Sequence, residues 1–273
     1  MAPARPPLSA PLIGCAGWGL SALVAEQFPG EGSHLERYAR VLPAVEINSS
    51  FYRPHRPSTY ARWRDSVPGP FRFSVKVPKL LTHEQRLRGD VAGPLERFLG
   101  EAGALGEKLG CLLVQLPPSL QFEREAAGAF FGALRERTDV DAVCEPRHVT
   151  WLSPEAQALL AAHRVDVVRA DPQVVPAAPL HGAVAYYRLH GSPRVYHSEY
   201  PADFLAGLAA ELAAHRAAGR RAWCIFDNTA SGAAQPNALS LQASLQAPLQ
   251  ARLGAQGASA PAPPPTSAGG PGR

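Results

Sequence analysis

Residues 44–79, AVEINSSFYRPHRPSTYARWRDSVPGPFRFSVKVPK, contain two short runs rich in strand-forming residues, AVEINS and FRFSVKV. Between them lies PSTYARWRDSV, whose apolar residues recur at helical spacing and whose proline suits a first helical turn. Two strands joined by a helix make a crossover unit, which places the strands parallel in one sheet.

Outward from this unit the same alternation continues in both directions. Strand-like runs are IGCAG (13–17), AVEINS (44–49), FRFSVKV (71–77), CLLVQLP (111–117), DAVCEP (141–146), VDVVRAD (165–171), VAYYRLH (184–190) and AWCIFDN (222–228). Helix-like runs separate most of them, beginning with SHLERYARVL, where Ser33 is the expected N-cap, and ending with a Leu-bearing stretch from Asn237 to Leu253. Eight strands with intervening helices fit a single α/β domain of the (β/α)8 TIM-barrel type over residues 12–253, with an open doubly wound sheet as the alternative. Residues 1–11 read as a flexible N-terminus. Residues 254–273, rich in Pro, Gly and Ala, read as a disordered tail.

Composition narrows the function classes. The 273-residue chain carries a formal net charge of +4, but its basic residues are nearly all arginines scattered through an Ala-, Pro- and Gly-rich sequence, without a compact nucleic-acid patch. Cys15, Cys111, Cys144 and Cys224 sit far apart in apolar runs, with neither zinc spacing nor a disulfide framework, which points to reduced core residues and a cytoplasmic protein. Prolines 6, 7 and 11 break any leader helix, and no run is long and apolar enough to span a bilayer.

In a barrel of this type, catalytic groups gather at the C-terminal strand ends. The two-residue period puts Glu46 and Asn48 on the inner face of the second strand, opposite Val45 and Ile47, and Lys76 on the inner face of the third. Later strands end in Gln115, in Glu145 and Arg147, in Arg169 and Asp171, in Arg188 and His190, and in Asp227 and Asn228. So many ionisable groups are costly to bury for stability alone, and they point to a pocket. Glu46 and Glu145 are the expected acid and base, and Lys76 and His190 the expected proton-transfer groups. Arg147, Arg169 and Arg188 are expected to hold an anion. A divalent metal is the candidate cofactor, with Glu46, Glu145, Asp171, His190 and Asp227 as its candidate ligands. Lys76 is conspicuous in a chain with only two other lysines, Lys79 and Lys108, because lysine can do what arginine cannot, namely give up its proton. Trp18, Phe51, Tyr52, Trp151 and Tyr196 follow strand ends and could stack on a sugar or base, while His55 could fold over the pocket.

The motifs IGCAGW, FPGEG, VEINSSFYR, FRFSVKVPKLLTH, LLVQLPPS, CEPRHVTW, YYRLHG and FDNTASGAAQPNA, in this order, resemble the YecE-like family, known as domain of unknown function 72. The resemblance implies a TIM-type barrel and no particular reaction. It marks Glu46, Asn48, Ser49, Phe51, Tyr52, Lys76, Glu145, Arg147, Arg188, His190 and Asn228 as the family's positions. Where the family often has two asparagines after the eighth strand, this chain has Asp227 and Asn228.

Three functions follow as expectations: an enzyme acting on an anionic, phosphate-bearing or sugar-derived small molecule, of hydrolase, lyase or isomerase class; a metal-dependent nucleic-acid-binding or repair enzyme resembling abasic-site endonucleases; and a non-catalytic metabolite-binding protein. The sequence assigns no oligomeric state.

Overall fold

The crossover unit is present in a computed structural model, which describes residues 10–20, 22, 24–173, 180 and 182–257, residues 247–257 by their backbone only. Strands β1 (Leu12–Ala16), β2 (Ala44–Ile47) and β3 (Arg72–Lys76) are parallel neighbours. Helix α1 (His34–Ala39) joins the first two and α2 (Pro57–Asp65) the second two. Ser33 caps α1 as expected: its hydroxyl accepts from the Glu36 N–H at 3.3 Å while the Glu36 carboxylate accepts from the Ser33 N–H at 2.7 Å. Ser33→Ala should therefore cost about 1 kcal/mol in urea unfolding, with unchanged dependence on urea concentration.

The chain continues through α3 (Ala92–Ala102), β4 (Leu109–Gln115), α4 (Arg124–Arg137), β5 (Asp141–Glu145) and α5 (Pro154–Ala162). Next come β6 (Val165–Val167), β7 (Arg169–Asp171), β8 (Val184–Leu189), α6 (Ala202–Ala217), β9 (Arg221–Phe226) and α7 (Ala234–Gly257). The sheet runs β6-β5-β4-β3-β2-β1-β9-β8-β7, parallel throughout. Its two outer members are halves of the single sixth strand read from VDVVRAD. The first half pairs with β5 and the second with β8, so one bent strand closes the nearly complete barrel.

Alternation along the strands sorts the core into two layers. Val45, Ile47, Phe73, Val75, Leu112, Val114, Cys144, Leu189, Cys224 and Phe226 pack outward with residues of the helices. Leu12, Ala44, Cys111, Leu113, Val143, Val168, Val184, Tyr186, Trp223 and Ile225 form a separate cluster that fills the barrel. At one end this plug is closed by the Arg221 guanidinium, which bonds Asp141 at 2.5 and 2.6 Å. The other end, where the strands terminate, carries the site. All four cysteines are free and buried.

The tail expected from residue 254 begins with four residues that continue α7, and its remainder lies outside the described residues, as do residues 1–9 of the expected flexible start. Among the described residues, no helix is long and apolar enough to cross a membrane.

Candidate functional site

Arg188 organises the barrel mouth. It is 1% exposed, and its guanidinium reaches three carboxylates: Glu46 through Nη2 at 2.7 Å and Nε at 3.0 Å, Asp227 through Nη2 at 3.0 Å, and Glu145 through Nη1 at 3.3 Å. Parallel register explains why these side chains meet, since Glu46 pairs with Ser74, Gln115 with Glu145, and Leu189 with Phe226, just before Asp227. The Tyr186 hydroxyl fixes Glu46 from below, donating to Oε2 at 3.0 Å, and lies 2.8 Å from Ser74 Oγ.

His190 stands between the other two acids, with Nδ1 3.0 Å from Asp227 Oδ2 and Nε2 3.2 Å from Glu145 Oε1. Burial disfavours its charge, but the bonds to Asp227 and Glu145 outweigh burial and raise its pKa. Burial likewise works against the charge of Glu145, yet Arg188, His190 and Arg147 hold it well below the usual carboxylate range. Asp227 is lowered against the same burial by Arg188 and His190. Arg147 adds bonds to Glu145 Oε1 at 2.8 and 3.1 Å and keeps a fifth of its side chain exposed toward the mouth.

Lys76 differs from every other charge in the group. Among the described residues its ammonium has no hydrogen bond or ion pair; it rests 4.1 Å above the centre of the Phe51 ring. Burial, and then the charge of Arg188, press its pKa down to about 8 against the upward pull of Glu46, Glu145 and Asp227. Phe51 is held under it because the Ser50 hydroxyl bonds both the Ile47 and Lys76 carbonyls, at 2.9 and 2.7 Å, pinning the turn after β2 to the end of β3. Glu46, Glu145 and Asp227 pair with Arg188, Arg147 and His190, and of the basic groups here Lys76 is the one that makes no ion pair among the described residues.

The other expected site residues divide. Gln115, at the top of β4, is 8% exposed and in register with Glu145. Asn48 lies at the start of the Ser49–Phe51 turn, with its buried Oδ1 unpartnered. Ser49 Oγ is 2.8 Å from Nε2 of His55, whose ring packs on Tyr60 and Trp63, so the loop is held against α2 and does not fold over the pocket. Trp18 packs edge-on against Trp63, 5.0 Å between centres. Tyr52 and Tyr196 are exposed, at 67% and 43%.

Four expectations are corrected. Arg169 and Asp171 point to the helix side, because Val168 and Ala170 take the inward positions of the sixth strand. The Arg169 guanidinium lies 5.9 Å from the centre of the Tyr187 ring, and Asp171 accepts from the Tyr200 hydroxyl at 2.8 Å. Trp151, 1% exposed, is an outer-core residue packed on Phe122 and Phe131, with its indole N–H spent on the Leu120 carbonyl at 2.9 Å. Asn228 is buried and turned away from the mouth, its amide donating to the Ser198 carbonyl and to Asn237 Oδ1, both at 2.9 Å.

The metal expectation also meets a poor donor set. Arg188 fills the space among Glu46, Glu145 and Asp227, both ring nitrogens of His190 face carboxylates, and Asp171 is elsewhere. Among the described residues no three His, Cys, Asp or Glu side chains form a cluster able to hold a metal ion.

Sequence reasoning passed over His83. It lies in a π-helical turn, Leu80–Glu84, just after β3, an irregularity frequent at functional sites. Its ring packs edge-on against Phe51 at 4.9 Å, its Nδ1 is 2.8 Å from Thr82 Oγ1, and burial together with the charges of Lys76 and Arg147 lowers its pKa. The signal was present in FRFSVKVPKLLTH, whose last residue it is.

Comparison with known proteins agrees with this architecture. The chain resembles the UPF0759 protein YunF of Bacillus subtilis (strain 168), 25% identical over 149 residues, and the UPF0759 protein YecE of Escherichia coli (strain K12), 34% identical over 83 residues. These matches span 52% and 30% of the relatives' own lengths and the same shares of this chain. Crystal structures of DUF72 family proteins from Thermotoga maritima MSB8 and Enterococcus faecalis V583 superpose with TM-scores of 0.73 and 0.71 at 23% and 22% identity. They cover 87% and 85% of this chain and 99% and 94% of theirs. A xylose isomerase-like TIM barrel/4-hydroxyphenylpyruvate dioxygenase fusion protein superposes at 0.50, with 14% identity, over 95% of this chain and 47% of its own. These structural likenesses speak to the fold. The family described as "Protein of unknown function DUF72" matches residues 12–264, nearly the whole chain, and the protein belongs to that family.

Proposed function

We propose that the protein is an enzyme that transfers a proton to a small anionic molecule, phosphate-bearing or sugar-derived, at the C-terminal mouth of the barrel. The observation that carries the reading is Lys76, a buried ammonium that makes no hydrogen bond or ion pair among the described residues, while the neighbouring carboxylates are bonded to Arg188, Arg147 and His190. An anionic substrate supplies the missing ion-pair partner and draws on the partly exposed Arg147 as well. Lys76 then docks the anion and donates its proton. A pKa near 8 keeps the group protonated at neutral pH yet leaves the proton easy to release.

In this reading Glu46, Glu145 and Asp227 act as counter-ions that aim Arg188 and His190, in place of the acid and base roles expected of Glu46 and Glu145. Held ionised by two arginines and a histidine, Glu145 is a poor proton donor near neutral pH. The metal-dependent nucleic-acid reading loses its ligand set to the same ion pairs.

The test is incubation of sugar phosphates and small carboxylic acids with the protein, followed by NMR. Turnover should fall about 100-fold or more in Lys76→Met, and Lys76→Arg should not restore it, because arginine keeps its proton. Since the ammonium is the active form, the rate should fall as pH rises through about 8. A substrate turned over equally well by Lys76→Met sinks the proposal. A compound that binds tightly and is recovered unchanged favours the non-catalytic metabolite-binding protein.

A further inference from the structure

We infer that the molecule taken at this site is amphipathic, its anionic group meeting Lys76 and its remainder an aromatic body lying against Tyr52 and Tyr196 at the rim. The inference rests on the proposed function and adds the class of the substrate's other half.

The distribution of exposed apolar side chains carries it. Among the described residues the large exposed ones are Tyr52, Leu80, Val149, Val195, Tyr196 and Phe204. All but Phe204 lie on turns that leave the C-terminal ends of strands: after β2, β3, β5 and, for Val195 and Tyr196, β8. Single exposed apolar residues are ordinary on any surface, but five of the six here gather at the end of the barrel that carries the polar groups.

Both tyrosines are one ring away from the charges. Tyr52 packs edge-on against Phe51, 5.0 Å between centres, and Phe51 carries the Lys76 ammonium. Tyr196 packs edge-on against His190 at 5.9 Å. The backbone of Tyr196 is held at a φ of 68°, a conformation that costs a bulky residue energy. Its N–H donates to the His190 carbonyl at 2.5 Å and its carbonyl accepts from Ala230 at 3.0 Å. This strain keeps an exposed ring over the polar centre, where packing alone does not ask for one.

Charge selects the occupant's polar end. The Lys76 ammonium, 5% exposed and without an ion-pair partner among the described residues, suits a phosphate or carboxylate borne directly on a ring.

The experiment is isothermal titration calorimetry of the full chain with inorganic phosphate and with phenyl phosphate. Phenyl phosphate should bind at least about tenfold more tightly, as one favourable aromatic contact provides. Tyr52→Ala and Tyr196→Ala, both at exposed positions, should each narrow that ratio, and Lys76→Met should weaken both ligands. Equal affinity for the two ligands overturns the inference and leaves the anion reading standing, whereas binding of neither overturns both. A ratio unchanged in both tyrosine variants also overturns it, as does a dimer in sedimentation that Tyr52→Ala dissociates, since the rim would then be covered by a second copy.

Discussion

Arg188→Met is expected to destabilise the protein by about 3–5 kcal/mol, enough to leave much of the chain unfolded at 37 °C. The arginine is 1% exposed and is the shared partner of Glu46, Glu145 and Asp227, which are 0%, 1% and 5% exposed. Methionine of similar length fills the space but leaves Glu46 with only the Tyr186 hydroxyl as a hydrogen-bond partner, and Glu145 and Asp227 with only Arg147 and His190 as direct partners. Removing one member of a buried ionic group costs far more than the intact group contributes, because the charge left behind has lost both water and partner. Urea unfolding of the wild type and variant measures the loss. Adding Glu46→Gln to Arg188→Met should restore part of it, since it removes the charge most dependent on that guanidinium. A loss below about 1 kcal/mol would mean that water reaches the carboxylates and that the group is not a closed ionic network.

The alternation of strands and helices was legible because each strand obeys a two-residue period and each helix a longer one, and both periods are local. The same period placed Val45 and Ile47 outward and Glu46 and Lys76 inward, as the two core layers confirm. The sixth strand was misread on this point. In VDVVRAD both faces carry apolar and ionisable residues, so the pattern alone does not say which face meets the barrel interior. The apolar Val168 and Ala170 in fact face inward, while Arg169 and Asp171 find partners on Tyr187 and Tyr200 of the helix side.

Which charges pair with which was beyond the sequence altogether. Glu46 and Arg188 are 142 positions apart, and only barrel closure and register make them partners. Trp151 and Asn228 were misjudged for a related reason, since position after a strand end does not say which way a side chain turns. Asp227 supplies a carboxylate charge that pairs with both Arg188 and His190, which an asparagine there would lack.

Lys76→Met should make the protein more stable at neutral pH while removing its hold on anions. The ammonium is 5% exposed, and its pKa stands at about 8 against 10.5 for a free lysine. The fold therefore disfavours the charged form. The sign follows directly: below pH 8 the side chain is charged in both folded and unfolded chains, and the full penalty applies. Between pH 8 and 10.5 the folded protein sheds the proton first and the penalty fades; above 10.5 it is gone. A displacement of this size corresponds to about 3 kcal/mol, which methionine, apolar and able to keep the contact with Phe51, should recover in part. Thermal unfolding of both proteins across pH 7 to 10.5 should show the variant ahead by about 2–3 kcal/mol at pH 7 and the two converging as pH rises. A variant that is less stable at pH 7 would mean that the lysine is already neutralised by its surroundings, and Lys76 would no longer qualify as the group awaiting an anion. A site that gives up stability to hold a buried ammonium without an ion pair is the trade-off expected where binding has been favoured over stability.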